Sequence, residues 1–179
     1  MDWVEIIETL IGVFCGAFLA FVLGICANNI NERRKERHEL KSLFLLMGIN
    51  QAAIRTIGEE LDEACSRGRT YDEICKIRDS DNTKYQIYAI KETGLRLVLE
   101  IHEHCARTDL YERLSRQIDF QDQVYKHLRE LFELTNDALK AKVNDANNQM
   151  HINNLANKMV SKSDEWDRIK KDLQKMGMF

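Results

Sequence analysis

The chain has 179 residues, with 26 Lys and Arg against 29 Asp and Glu, a formal net charge of −3. That balance excludes a protein built to coat nucleic acid along its length. Five cysteines without a CxxC pair indicate neither a disulfide framework nor a zinc site, and they suit a reducing compartment. There is no proline, so only glycine and capping residues punctuate helices, and the expected fold class is all-α.

The first element is the most distinctive. Residues 9 to 27, TLIGVFCGAFLAFVLGICA, carry no charge. A helix of that length spans about 28 Å at ~1.5 Å per residue, close to a bilayer core of ~30 Å. A single transmembrane helix over about 9–27 is therefore expected, within an N-terminal segment 1–32, ahead of a cytoplasmic helical bundle 33–179. Gly12, Gly16, Ala20 and Gly24 recur every four residues. On a helix they form a ridge of small side chains, where two backbones approach closely in lipid. Glu8 precedes the row by one step and Asn28 follows it. If several copies gather with the ridge inward, Glu8, Gly12, Gly16, Ala20, Gly24 and Asn28 line a narrow passage with polar mouths. A single helix per chain needs roughly five or more copies to enclose water, so the expected homo-oligomer is a ring.

Before the span stand only Asp2, Glu5 and Glu8; after it come Arg33, Arg34, Lys35, Arg37 and Lys41. The positive-inside rule puts the short N-terminus outside and the C-terminal body in the cytoplasm. The acidic start argues against a cleaved signal peptide. The basic run, interleaved with Glu32, Glu36 and Glu39, reads as a contact to anionic membrane lipids and more weakly as a direct RNA contact.

The same helix is expected to continue. Leu40, Leu43, Met47, Asn50, Ile54, Ile57, Leu61 and Ala64 alternate steps of three and four, a heptad seam whose one polar member, Asn50, is of the kind that fixes register or oligomer state. Phe44, Leu45, Leu46 and Ile49 widen the apolar face to that of a bundle helix, and Arg67-Gly68 marks its end. Residues 68–84 look irregular, with DSDNTK at 79–84 as a loop. A second helix is expected over Tyr85–Ala106, burying Ile87, Ile90, Leu97 and Ile101. A third runs from the Thr108-Asp109 cap to about Lys142. The Asn-rich stretch 144–154 invites a break. The last helix carries Ile152, Leu155, Met159, Lys162, Trp166, Ile169, Leu173 and Met176, with Ser161 or Ser163 able to cap a fresh start at SDEW. The body thus reads as a bundle of about four long helices.

Motifs for chemistry are sparse. No phosphate-binding loop, HExxH or GxSxG occurs, and no cofactor is implied. His102 and His104 point about 200° apart on a helix and do not share a metal. One pattern stands out, the Arg-x(4–6)-His spacing of HEPN ribonucleases, in which His acts as acid or base and Arg stabilises phosphate charge. Arg33 with His38 and Arg96 with His102 match it. Inside a regular helix such residues lie roughly 120–140° apart, and Leu97 follows Arg96 where HEPN motifs usually place a polar residue.

In layout, the 9–27 span, the basic stop at 33–37, the all-helical body and the loose match at Arg96 and His102 resemble the small transmembrane accessory proteins encoded beside the RNA-guided RNase of type VI-B CRISPR systems. Those join one N-terminal span to a helical body with a degenerate HEPN-like motif. The resemblance implies a homo-oligomeric pore in the bacterial inner membrane that perturbs or depolarises it after the RNase recognises viral RNA, with that RNase as functional partner. Two other readings stay open from the residues themselves: a membrane-anchored coiled-coil scaffold or adaptor, and a membrane-tethered HEPN-type ribonuclease.

Overall fold

The computed structural model describes residues 3–80, 82–105 and 108–177, with the backbone alone at 3–13, 15, 83, 100–105 and 108. Among the described residues the chain forms six α-helices and no strand, and 89% of it is helical. The helices are α1 (Trp3–Ser66), α2 (Thr70–Arg78), α3 (Lys91–Cys105), α4 (Thr108–Phe132), α5 (Asn136–Asn144) and α6 (Ala146–Lys175), with one 3₁₀ turn at Thr83–Tyr85. The chain divides into two units, Met1–Glu39 and Leu40–Phe179, and the division falls within α1. Among the described residues no helix is long and apolar enough to cross a membrane. The expected span begins at Thr9, and the side chains of 9–13 and of Cys15 lie outside the described residues.

The second unit is built as the heptad pattern requires. Every seam position of α1 from Leu40 to Ala64 is buried. The helix stops at Gly68, whose φ is +66°. The Arg69 amide donates to Ala64 O (2.8 Å) and the Gly68 amide to Cys65 O (3.2 Å), which satisfies carbonyls a plain helix end leaves open. In α6 the seam residues Ile152, Met159, Trp166, Ile169 and Leu173 are buried, while Lys162 stands half-exposed in an ion pair with Glu165.

Four boundaries depart from the sequence reading, and the break expected in 144–154 agrees with it. Residues 70–78 form a helix, although Ile74 and Ile77 are its only buried apolar side chains. The second helix begins at Lys91 rather than Tyr85, because 86–90 run as an extended strap whose bonds go to a distant side chain. The third helix ends at Phe132, and α5 starts anew under Thr135, whose Oγ1 accepts from the Ala138 amide (3.4 Å). The expected break in 144–154 falls at Asp145, which caps α6 by accepting from the Asn147 and Asn148 amides. No break occurs at Ser161–Ser163. Ser163 is buried mid-helix, its hydroxyl returned to Met159 O (3.1 Å).

The core of this unit has two apolar clusters. One gathers Phe44 and Met47 of α1, Leu97 and Val98 of α3, Leu114 and Ile118 of α4, and Trp166 and Ile169 of α6. The other gathers Ile54, Ile57 and Leu61 of α1 with Ile74 of α2, Val124 of α4, Leu139 of α5 and Met159 of α6. In the second, α1 and α6 pack closely enough that a Cβ built on Gly58 would lie 2.8 Å from Met159 Cβ and 3.1 Å from Ala156 O.

Candidate functional site

Buried polar side chains stand between the two clusters on each helix. Asn50 and Gln51 on α1 fall between Met47 and Ile54, Gln117 and Gln121 on α4 flank Ile118 and Phe120, and Ser163 on α6 falls between Met159 and Trp166. Buried amides cost several kcal/mol unless bonded, and these bond to one another. Gln51 Nε2 donates to Ser163 Oγ (2.9 Å), and its Oε1 accepts from Gln117 Nε2 and from Gln121 Nε2 (3.2 Å). Gln121 Nε2 also reaches Met47 O (3.1 Å). Gln117 Oε1 is left without a partner.

Asn50, expected to set register or oligomer state, is fully buried and engaged within its own chain. Its Oδ1 accepts from the Tyr88 amide (2.8 Å) and its Nδ2 donates to Tyr88 O (2.9 Å) and Gln121 Oε1 (3.3 Å). The side-chain amide therefore pairs with the backbone of the strap as a neighbouring strand would. This clamp fixes the strap against the bundle. Between strap, α2 and α4 it leaves a cavity of about 510 Å³, floored by Ile77 and Leu128 and walled by Tyr85, Tyr88, Tyr125 and Phe132. Tyr85 is anchored by its hydroxyl, which donates to the Glu60 carboxylate (2.8 Å).

Arg78 and Arg129 stand at the rim of this cavity with Glu133. Arg78 donates to Asp79 Oδ1 (3.0 Å) and Asn136 Oδ1 (2.9 Å), and Arg129 donates to Glu133 Oε1 (2.8 Å). Each guanidinium's pKa is raised, chiefly by the hydrogen bond to its carboxylate, so both stay cationic at any physiological pH.

The residues singled out from the sequence lie elsewhere. Gly16, Ala20, Gly24 and Asn28 are exposed on α1, and a Cβ built on Gly16 or Gly24 would meet nothing within 4 Å. Glu8 and Gly12 belong to α1 by their backbone, with side chains outside the described residues. Arg33 and His38 are both exposed on α1, five positions apart and so about 140° apart around the helix. Arg96 is exposed on α3 beside the buried Leu97 and Val98. His102 is on the same helix, its side chain outside the described residues, and six helical positions separate the two by about 120°. The helical backbone thus brings neither Arg-His pair onto one face. Among the described residues no group of His, Cys, Asp and Glu is arranged to hold a metal ion.

The amide network and the aromatic cavity were not foreseen. The signal for the first was available in part, as glutamines at 117 and 121 and a serine at 163 placed on apolar helix faces. No family model, curated protein or solved structure matches this chain.

Proposed function

We propose that this chain is a single-span protein of the bacterial inner membrane whose N-terminal helices associate into a ring, with the helical bundle in the cytoplasm. One observation carries the reading. Every described side chain from Gly16 to Lys35 is exposed, including Phe18 (65%), Leu19 (60%), Phe21 (66%) and Leu23 (66%). Leaving such side chains in water forfeits ~1.5–3 kcal/mol each. Together that is on the order of 10 kcal/mol, comparable to the whole stability of a domain, so another apolar medium has to receive them.

The angular distribution supports a bilayer and neighbouring helices as that medium. At ~100° per residue the large side chains of Phe14, Phe18, Leu19, Phe21, Val22, Leu23 and Ile25 sweep an arc of about 200°. Gly16, Ala17, Ala20, Gly24 and Ala27 fill the opposite side. A broad bulky face suits acyl chains, and a narrow small-residue face suits a second helix at close range. Glycine in a helix interior costs roughly 0.5–1 kcal/mol against alanine. Nothing among the described residues requires Gly16 or Gly24, because their surroundings are open.

With Arg33, Arg34, Lys35 and Arg37 holding the cytoplasmic side, the arrangement supports a pore-forming effector. The resemblance to the type VI-B accessory proteins supplies its setting: antiviral defence, with depolarisation downstream of an RNA-guided RNase. The test is particle mass in detergent together with membrane potential in cells. The reading expects a ring that Gly16→Leu dissociates, and depolarisation that needs the span. A wild-type monomer or dimer that never depolarises the membrane overturns it.

A membrane-tethered scaffold is the second reading, favoured by a specific observation. Leu45 (60%) and Ile49 (46%) are exposed on α1 beside a groove that contains Trp166, an apolar strip a partner protein can cover. A small particle that retains a cytoplasmic partner would select it. A ribonuclease reading finds no support in the angular separation of its Arg-His pairs.

A further inference from the structure

The cavity behind the strap has features that the membrane reading does not use. Its volume, about 510 Å³, falls within the ~300–1,000 Å³ of small-ligand sites. Four of the residues around it carry aromatic rings, on two separate stretches of chain: Tyr85 and Tyr88 from the turn and strap, Tyr125 and Phe132 from α4. The floor is apolar and sealed, since Ile77 and Leu128 are 3% and 4% exposed. The rim carries two cations and one carboxylate, Arg78, Arg129 and Glu133.

The geometry points to a nucleotide-binding site, in which a nucleobase stacks among the tyrosines and Phe132 while its phosphate meets Arg78 and Arg129. An aliphatic guest would need the floor but neither the π faces nor the cations. A nucleotide uses all three, because every base offers a π face to aromatic side chains and a phosphate accepts the planar fork of arginine. Glu133 is placed to accept a ribose hydroxyl. At Arg129 the present partner does not obstruct this, while Arg78, 21% exposed, keeps its bonds to Asp79 and Asn136 and offers its charge at the rim. Arg129 and Glu133 are each 64% exposed, and ion pairs at such exposure contribute little, so exchange of a carboxylate for a phosphate is inexpensive.

The site is also preorganised. Tyr88 is held through its backbone by Asn50, and Tyr85 through its hydroxyl by Glu60, so little ordering is left for the ligand to impose. The same chemistry belongs to a free mononucleotide and to one nucleotide of a single-stranded RNA. The site lies wholly within Leu40–Phe179, and its test is independent of the membrane proposal.

The experiment uses the full-length protein in detergent, with AMP and a ten-residue oligoadenylate as probes, followed by calorimetry and by anisotropy of a labelled oligomer. Ribose 5-phosphate serves as the baseless control. Binding of AMP comparable to the oligomer assigns the site to a free nucleotide, and binding of the oligomer alone assigns it to a strand; either supports the site. Tyr88→Ala should weaken binding roughly tenfold or more, the usual loss of one stacking partner, while the melting curve stays in place because the clamp uses only its backbone. Arg129→Ala should weaken it several-fold and flatten its salt dependence. If Tyr88→Ala unfolds the protein, Tyr125→Leu keeps the apolar volume, removes a π face and carries the same expectation. The site is overturned if neither probe binds at about 1 mM, a few kcal/mol of affinity, if ribose 5-phosphate binds equally well, or if binding survives both substitutions unchanged.

Discussion

Two stretches of the same helix, Gly16–Lys35 and Leu40–Ala64, are both rich in apolar residues and differ in what surrounds them. The first has large side chains over an arc of about 200° and every described one is exposed; the second carries a heptad seam whose members are all buried, with Leu45 and Ile49 exposed beside it. Apolarity alone does not distinguish the two. The angular pattern does: the seam is met by neighbouring helices of this chain, whereas no described residue covers the broad apolar arc. The glycines follow the same division. Gly58 is demanded by Met159 and Ala156 inside the bundle, while Gly16 and Gly24 face open space.

The sharpest way to break this comparison is to charge the first stretch. Leu19→Arg with Leu23→Arg adds ~2.5–3.5 kcal/mol per residue at the centre of a bilayer. On the proposed membrane reading the double variant should leave the carbonate-resistant membrane fraction almost entirely, with the denaturant midpoint of the bundle unchanged. Retention in that fraction would mean that something other than the span holds the chain there.

Next in size is the clamp. Asn50→Ala deprives the Tyr88 amide, Tyr88 O and Gln121 Oε1 of partners, at about 1–3 kcal/mol for a buried group left unsatisfied. We expect the urea midpoint to fall by the equivalent of roughly 2–4 kcal/mol, with membrane association intact. Gly58→Ala should cost about 1–3 kcal/mol by overpacking against α6. Gly48→Ala, whose new Cβ meets Trp166 only at 3.9 Å, should be neutral or stabilising by up to ~1 kcal/mol. Equal effects at the two glycines would contradict the close approach of α1 and α6 at Gly58.

The smallest effect belongs to Arg113 and Asp172, which join α4 to α6 at 2.8 Å. The hydrogen bond from Arg113 holds the Asp172 carboxyl below its usual range. A folded-state pKa below the unfolded value of ~3.9 contributes stability that is full above that value and is lost as pH falls through the depressed one. A double-mutant cycle of Arg113→Met and Asp172→Asn should therefore show a small coupling at pH 7 that disappears in strong acid. A coupling that persists there would exclude the carboxylate as its source.

Helix content, the α1 stop at Gly68 and both seams were legible because they are local or strictly periodic. Every α1 seam position proved buried, and Gly68 adopts the positive φ that its place after Arg67 implied. The strap was not legible. Ile87, Ile90 and Leu97 follow a helical spacing, and what holds Tyr88 out of the helix is a side chain 38 residues earlier. Helix α2 escaped because nine residues with two buried apolar positions hardly register a period. The α4–α5 break escaped because Leu139 and Val143 continue a helical spacing across it, although Thr135 was there to be read as a cap. The small-residue ridge was readable as a row on α1, and the role proposed for it involves other copies of the chain. The cavity assembles residues from 77–88 and 125–133, a proximity that no local pattern encodes.

The Asn50 clamp has a consequence for the time scale on which the strap opens. Irregular segments usually exchange their amide protons through small local fluctuations, within the fraying end of a protein's range of opening energies. The Tyr88 proton is bonded to a side chain that is itself fully buried at the junction of the two core clusters. Its release requires the strap to lift away from Asn50, so this one amide should exchange far more slowly than its neighbours at Ile87 and Ala89. A single slow proton in an otherwise fast segment would then report how often the strap leaves its clamp.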